Sequence, residues 1–129
     1  MRRAALAIDL LGALSTLALV AWKGRVWEEP HGLLTLLPLT LFTLAPYALA
    51  GLAVRLARGP GSSLAALAGC ALSTAFGLVV YADALLTSEN PLNLLVFLAV
   101  PVVQAGIAGT ALLLAALLAR REGRQATAR

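Results

Sequence analysis

The sequence predicts an all-α integral membrane protein: a four-helix bundle, up-down-up-down, with both termini on the cytoplasmic side. Three observations predict it. Hydrophobic residues make up 60% of the 129 positions and charged residues 12%, against about 45–50% and about 25% in ordinary soluble domains. The apolar residues gather into four runs, at about 4–22, 33–54, 64–86 and 91–119, and a helix needs roughly 17–25 such residues to cross a bilayer. The ten lysines and arginines divide unevenly between the ends of those runs. A soluble chain of this length has too little interior to hide so much apolar surface. No run alternates apolar and polar residues with period two, as a barrel strand would. Residues 1–129 are therefore read as one transmembrane domain.

The first run follows the basic start Met1-Arg2-Arg3 and stops at Trp22-Lys23-Gly24, which combines an interfacial aromatic, a cation and a helix-ending glycine. Thr16-Leu17-Ala18 has the small-residue form of a leader cleavage site. Asp9 interrupts the run, however, and cleavage would leave three helices and reverse the charge asymmetry, so the run is expected to stay as a helix. The second run follows Glu28-Glu29-Pro30-His31-Gly32 and contains Pro38 and Pro46, each able to kink a helix by removing a backbone hydrogen bond. It ends at Arg55 and Arg58, where Gly59-Pro60-Gly61 is expected to prevent continuation. Ser62 or Ser63 is expected to cap the third helix. The fourth run opens on Asn90-Pro91, a cap followed by proline at the first helical position, and includes Pro101. It should end at Arg120-Arg121, tilted or extending past the hydrocarbon because of its length. The polar tail Glu122–Arg129 is expected to fray.

Orientation follows from the basic residues. Arg2, Arg3, Arg55, Arg58, Arg120, Arg121, Arg124 and Arg129 fall on one side, and Lys23 and Arg25 on the other. The richer side is cytoplasmic by the positive-inside rule, which places the chain in a cell membrane such as the bacterial inner membrane.

The net charge of +4 and pI near 10.2 do not imply nucleic-acid binding. The basic residues sit at run ends rather than in a stripe with interleaved aromatics, so they are read as topology signals and contacts to anionic lipid. Cys70 is the single cysteine and His31 the single histidine, which excludes an internal disulfide and a haem held between two histidines of one chain. Cys70 is read as a small hydrophobe. No nucleophile–histidine–acid set, zinc-ligand cluster or phosphate loop occurs. The expectation is a protein that is not an enzyme, with no catalytic residue, metal or cofactor.

Four polar residues fall at a similar depth. Counting 1.5 Å per residue puts Asp9 about 7–8 Å from the cytoplasmic edge, Tyr47 roughly 9 Å, Ser73 about 14 Å and Gln104 roughly 10 Å. They are expected to form an intramembrane layer, with Asp9 bonded to Tyr47 or Gln104. The layer would specify packing, or hold a proton or small cation, since intramembrane ionisable groups are costly. The competing reading leaves Asp9 near a helix N-terminus, facing the headgroups. On the opposite side, Asp83 is expected to be solvated at the interface or paired with an outer cation, Lys23, Arg25 or His31. Helix contacts are expected along Ala65, Gly69, Ser73 and Gly77, and at Ala105 and Gly109, where small side chains let backbones approach.

The length and four helices resemble the small multidrug resistance transporters, which carry a carboxylate in the first helix where this chain has Asp9. Their Tyr/Trp/Gly pattern in the third helix has no match in Ala75-Phe76-Gly77-Leu78-Val79-Val80-Tyr81. Their weak charge bias also differs from the strong bias here. A second likeness covers Asn90-Pro91-Leu92-Asn93-Leu94-Leu95-Val96-Phe97-Leu98-Ala99-Val100-Pro101-Val102-Val103-Gln104. This segment resembles one in small uncharacterised bacterial four-helix membrane proteins, and it implies no activity. The leading expectation is a non-enzymatic accessory or assembly subunit, partnered by lipids and by a larger membrane complex or a second copy. The alternatives are a small transporter or channel subunit using Asp9 and Gln104, and a lipid- or quinone-binding protein.

Overall fold

In the computed structural model, residues 1–23, 32–86 and 93–127 are described. They form four α-helices: α1 (Arg2–Lys23), α2 (Gly32–Leu56), α3 (Pro60–Leu86) and α4 (Asn93–Thr127). Three stretches are long and apolar enough to cross a membrane, Arg2–Trp22, Pro60–Ala84 and Leu98–Thr127, and α2 contributes the apolar stretch Thr40–Leu56. α2 runs 25 residues without a break at Pro38 or Pro46, and α4 runs 35 residues through Pro101.

The side-chain distribution suits lipid. Leu10, Leu11 and Leu14 on α1, Leu72 and Val79 on α3, and Leu113 and Leu117 on α4 are all exposed. The core is built mainly of alanine: Ala5, Ala50, Ala53, Ala66, Ala108 and Ala115, with Val54 and Cys70. Large residues outside and small ones inside reverse the soluble pattern. Association in lipid depends on close packing rather than on withdrawing apolar surface from water. A Cβ on Gly69 would collide with the Cβ of Ala111, so α3 and α4 cross with little between them.

α1 packs on α2 and α3, and α4 packs on the same two helices. Among the described residues α1 and α4 do not meet, while α2 and α3 touch. α1 and α4 therefore occupy opposite corners, with α2 and α3 on the shorter diagonal.

Two helix ends differ from the sequence expectation. α3 begins at Pro60, not at 64. Gly59 precedes the helix, and its carbonyl accepts the first bond from Ser63 N at 3.0 Å. Proline is suited to the first helical position because its missing N–H would have no partner there. Ser62 lies inside the first turn and turns its hydroxyl oxygen back to accept from Gly59 N at 2.9 Å and Arg58 N at 3.1 Å. At its far end α4 continues through Arg120-Arg121 to Thr127. The reason is Glu122. Its Oε1 accepts from Gly61 N at 2.8 Å and its Oε2 from the Ser62 hydroxyl at 2.8 Å. The carboxylate thus takes up free N–H groups at the start of α3, which holds α4 in helical form past its arginines. The expected fourth-helix start at Asn90-Pro91, together with His31, Glu28, Glu29 and Arg129, lies outside the described residues.

Candidate functional site: a buried polar seam

α1 buries one narrow stripe: Ala5, Asp9, Gly12, Thr16 and Val20. The spacing of three and four residues keeps these positions on one helix face. Two of them are polar and one is a glycine, so α1 presents a polar seam to α2 and α3.

Tyr47 of α2 lies against this seam. A Cβ on Gly12 would stand 2.9 Å from Tyr47 Cε1, 2.6 Å from Thr74 Cγ2 and 2.7 Å from Thr74 Oγ1. Gly12 is therefore the position at which α1 makes room for the tyrosine ring and the threonine together. The Tyr47 hydroxyl meets Thr16 Oγ1 at 2.8 Å, and either oxygen can donate. Gln104 of α4 reaches the same hydroxyl, its Nε2 donating at 3.4 Å, and donates more strongly to the backbone carbonyl of Ser73 at 2.9 Å. The two amide protons of one glutamine serve both bonds. A Cβ on Gly77 would collide with the Gln104 amide, so a glycine on α3 makes the space that the glutamine fills. One group from each helix thus enters a single network: Thr16, Tyr47, Ser73 and Gln104. Gln104 and Thr16 are completely buried.

The expected residues fare differently. Tyr47, Ser73 and Gln104 are brought together, but Ser73 takes part through its carbonyl and not its hydroxyl. Asp9 faces the bundle interior at 8% exposure. It lies beside Gly51, whose Cβ would stand 3.3 Å from Asp9 Oδ2. The expected bond from Asp9 to Tyr47 or Gln104 does not form, because the Tyr47 ring passes Gly12 and delivers its hydroxyl to Thr16, about 10 Å further along α1 than Asp9. Cys70 is buried and its thiol points at the Ala50 carbonyl, 3.9 Å away. Thr16 and Thr74 were missed. Thr16 shares the Asp9 stripe at a seven-residue interval with Gly12 between them, and that spacing was readable.

Four buried oxygens in this region have no hydrogen-bond partner among the described residues: Asp9 Oδ1, Ser73 Oγ, Thr74 Oγ1 and Gln104 Oε1. All can accept a hydrogen bond. No group of three or more histidine, cysteine, aspartate or glutamate side chains able to hold a metal occurs among the described residues. The Asp9 carboxylate can in addition take up a proton.

On α3, Gly69 and Gly77 sit at close contacts with α4 and Ser73 is buried, whereas Ala65 is half-buried. On α4 the contact face is Gln104, Ala108, Ala111 and Ala115. Ala105 is half-buried, and Gly109 stands in open space with no atom within 4 Å of a built Cβ. Gly109 lies one position, about 100° of helix rotation, past Ala108 and so misses the interface. Asp83 is exposed near the end of α3, while Arg25 and the side chain of Lys23 lie outside the described residues. No protein-family model, curated protein or solved structure matches this chain.

Proposed function

We propose that the chain crosses the membrane four times, in up-down-up-down order with both termini cytoplasmic, and serves as a non-enzymatic accessory or assembly subunit. Contacts support alternating helix directions. Asp9 with Gly51 and Thr16 with Tyr47 run in opposite chain senses, as do Ser62 with Glu122 and Ser73 with Gln104. The arginine excess supports the cytoplasmic assignment. The observation that carries the accessory role is an apolar groove of about 510 Å³ between α3 and α4, lined by Ala65, Ala68, Gly69, Leu72, Gly106 and Thr110 among others. Small residues along Ala65, Ala68, Gly69 and Gly106 open the groove between larger ones, Leu72, Val103, Ile107 and Leu114, and such an apolar surface with small residues in it fits another membrane helix. A tagged copy in mild detergent should retain a larger membrane partner, and Gly106→Leu should release it. A protein that runs alone in both forms would sink this reading. Topology is checked separately: a cytoplasmic reporter fused after Arg129 should be active, and one placed near 84–90 silent.

The second reading, a small transporter or channel subunit, draws on the buried oxygens of Asp9, Ser73, Thr74 and Gln104 that have no hydrogen-bond partner among the described residues. Proton or alkali-cation flux in liposomes that disappears in Asp9→Asn would favour it over the first.

A further inference from the structure

One end of the bundle gathers arginines in excess over the carboxylates among the described residues. Arg55 lies in the last turn of α2, Arg58 follows that helix, and Arg120, Arg121 and Arg124 lie near the end of α4. The described carboxylates are Asp9, Asp83 and Glu122. Asp9 is buried in the seam. Asp83 lies toward the other end of α3, about 35 Å of helix from Pro60. Glu122 is the nearest, and both of its oxygens are engaged by Gly61 N and the Ser62 hydroxyl. The single charge of Glu122 leaves these five arginines in excess among the described residues.

Between the ends of α2 and α4 lies a cleft of about 370 Å³, lined by Leu56, Arg58, Ala116, Ala119, Arg120 and Gly123. Arg58 and Arg120 are both exposed. The lining changes character along the helices: Ala116 and Ala119 give an apolar floor, then Arg120 and Gly123 follow toward the helix end. A guanidinium binds phosphate through a planar fork of donors. Basic pockets between helices at the membrane surface suit acidic headgroups. We propose that this cleft is a binding site for an anionic phospholipid, with the phosphate held by Arg58 and Arg120 and the first acyl carbons lying on Leu56, Ala116 and Ala119. Free phosphate would leave the apolar floor unused, and a zwitterionic lipid would leave the positive charge uncompensated. A second copy would oppose one arginine cluster with another. The site rests on the reading that α2 and α4 cross the bilayer.

The test uses the full chain in neutral detergent, by native mass spectrometry and thermal unfolding. Phosphatidylglycerol should remain bound and raise Tm, whereas phosphatidylcholine should do neither. Arg58→Gln combined with Arg120→Gln should weaken phosphatidylglycerol retention on the order of tenfold or more, as expected for the loss of two basic contacts. Arg124→Gln, outside the cleft, should retain the lipid. Arg58→Lys with Arg120→Lys, which keeps the charge and serves if the glutamine pair misfolds, should bind at intermediate strength. Equal retention of the two lipids, wild-type retention in the lysine or glutamine pair, or the same Tm rise from inorganic phosphate would overturn the site. Alkaline-carbonate extraction separates the premises: release of the chain from native membranes sinks the crossing reading, whereas firm retention without a lipid preference sinks the cleft alone.

Discussion

The hydroxyl groups of Thr16 and Tyr47 meet at 2.8 Å inside the bundle, joining α1 to α2 at a point where Gln104 also arrives from α4. Both side chains are buried. Removing the tyrosine hydroxyl therefore leaves Thr16 and one Gln104 proton without their partner. Interhelical hydrogen bonds in membranes contribute about 0.6 kcal/mol on average and up to about 1.7. Tyr47→Phe should lower stability within that range, and Thr16→Val should cost somewhat less because the Tyr47 hydroxyl keeps its bond from Gln104. A double-mutant cycle by thermal unfolding in detergent measures the coupling; strictly additive effects would mean that the Thr16–Tyr47 bond contributes nothing.

The close helix crossings give a sharper contrast. A Cβ on Gly12 meets Thr74 and Tyr47 at under 3 Å, whereas a Cβ on Gly109 meets nothing within 4 Å. Over-packing a filled interior costs about 1–3 kcal/mol. Gly12→Ala and Gly69→Leu should lower Tm clearly, and Gly109→Ala should leave it level or raise it slightly through better helix propensity. Equal losses at Gly12 and Gly109 would be incompatible with the packing described.

These residues also mark what a linear reading can reach. Apolar runs of bilayer length make helices visible because lipid imposes the length. Depth can be counted along each run, and that counting put Tyr47, Ser73 and Gln104 at similar levels; Gln104 is hydrogen-bonded to the other two. Rotation about a helix axis is not contained in such a count. The neighbours of Asp9 and the partnership of Thr16 with Tyr47 therefore escaped it, although Asp9, Gly12 and Thr16 share a stripe. Helix ends were misjudged where a distant side chain decides them. The continuation of α4 involves Glu122 meeting Ser62 across 60 positions of sequence, a pairing with no local signature, whereas α3 starts on the local Gly59-Pro60 pair.

That pairing gives the next expectation. Glu122→Ala removes the acceptors of Gly61 N and the Ser62 hydroxyl together. The end of α4 beyond Arg121 should then fray, while the seam is left intact. Hydrogen exchange should show faster amides across residues 122–127 and at Gly61, with Tm little changed. Ser62→Ala should reproduce part of the effect, because the Gly61 bond survives. Unaltered exchange in Glu122→Ala would mean that intrinsic propensity, not the clamp, sustains the last turns.

Asp9 separates a structural seam from a working one. Its Oδ1 has no hydrogen-bond partner among the described residues, so Asp9→Asn forfeits no bond there. An unpaired carboxylate in an apolar surrounding is costly to retain. On physical grounds the neutral, nearly isosteric asparagine should match or exceed the wild type in Tm. A drop of more than about 1 kcal/mol would show that the charge is compensated in the folded bundle, since losing a partner of a buried charge is strongly destabilising. The same variant should be measured for proton and alkali-cation flux in liposomes beside the wild type. Flux in the wild type that vanishes in a fully stable Asp9→Asn assigns the carboxylate a transport role, because a stabilising change that abolishes activity acts on the moving ion and not on the fold. No flux in either form, with equal or higher Tm in the variant, leaves Asp9 without a transport role and favours the accessory reading.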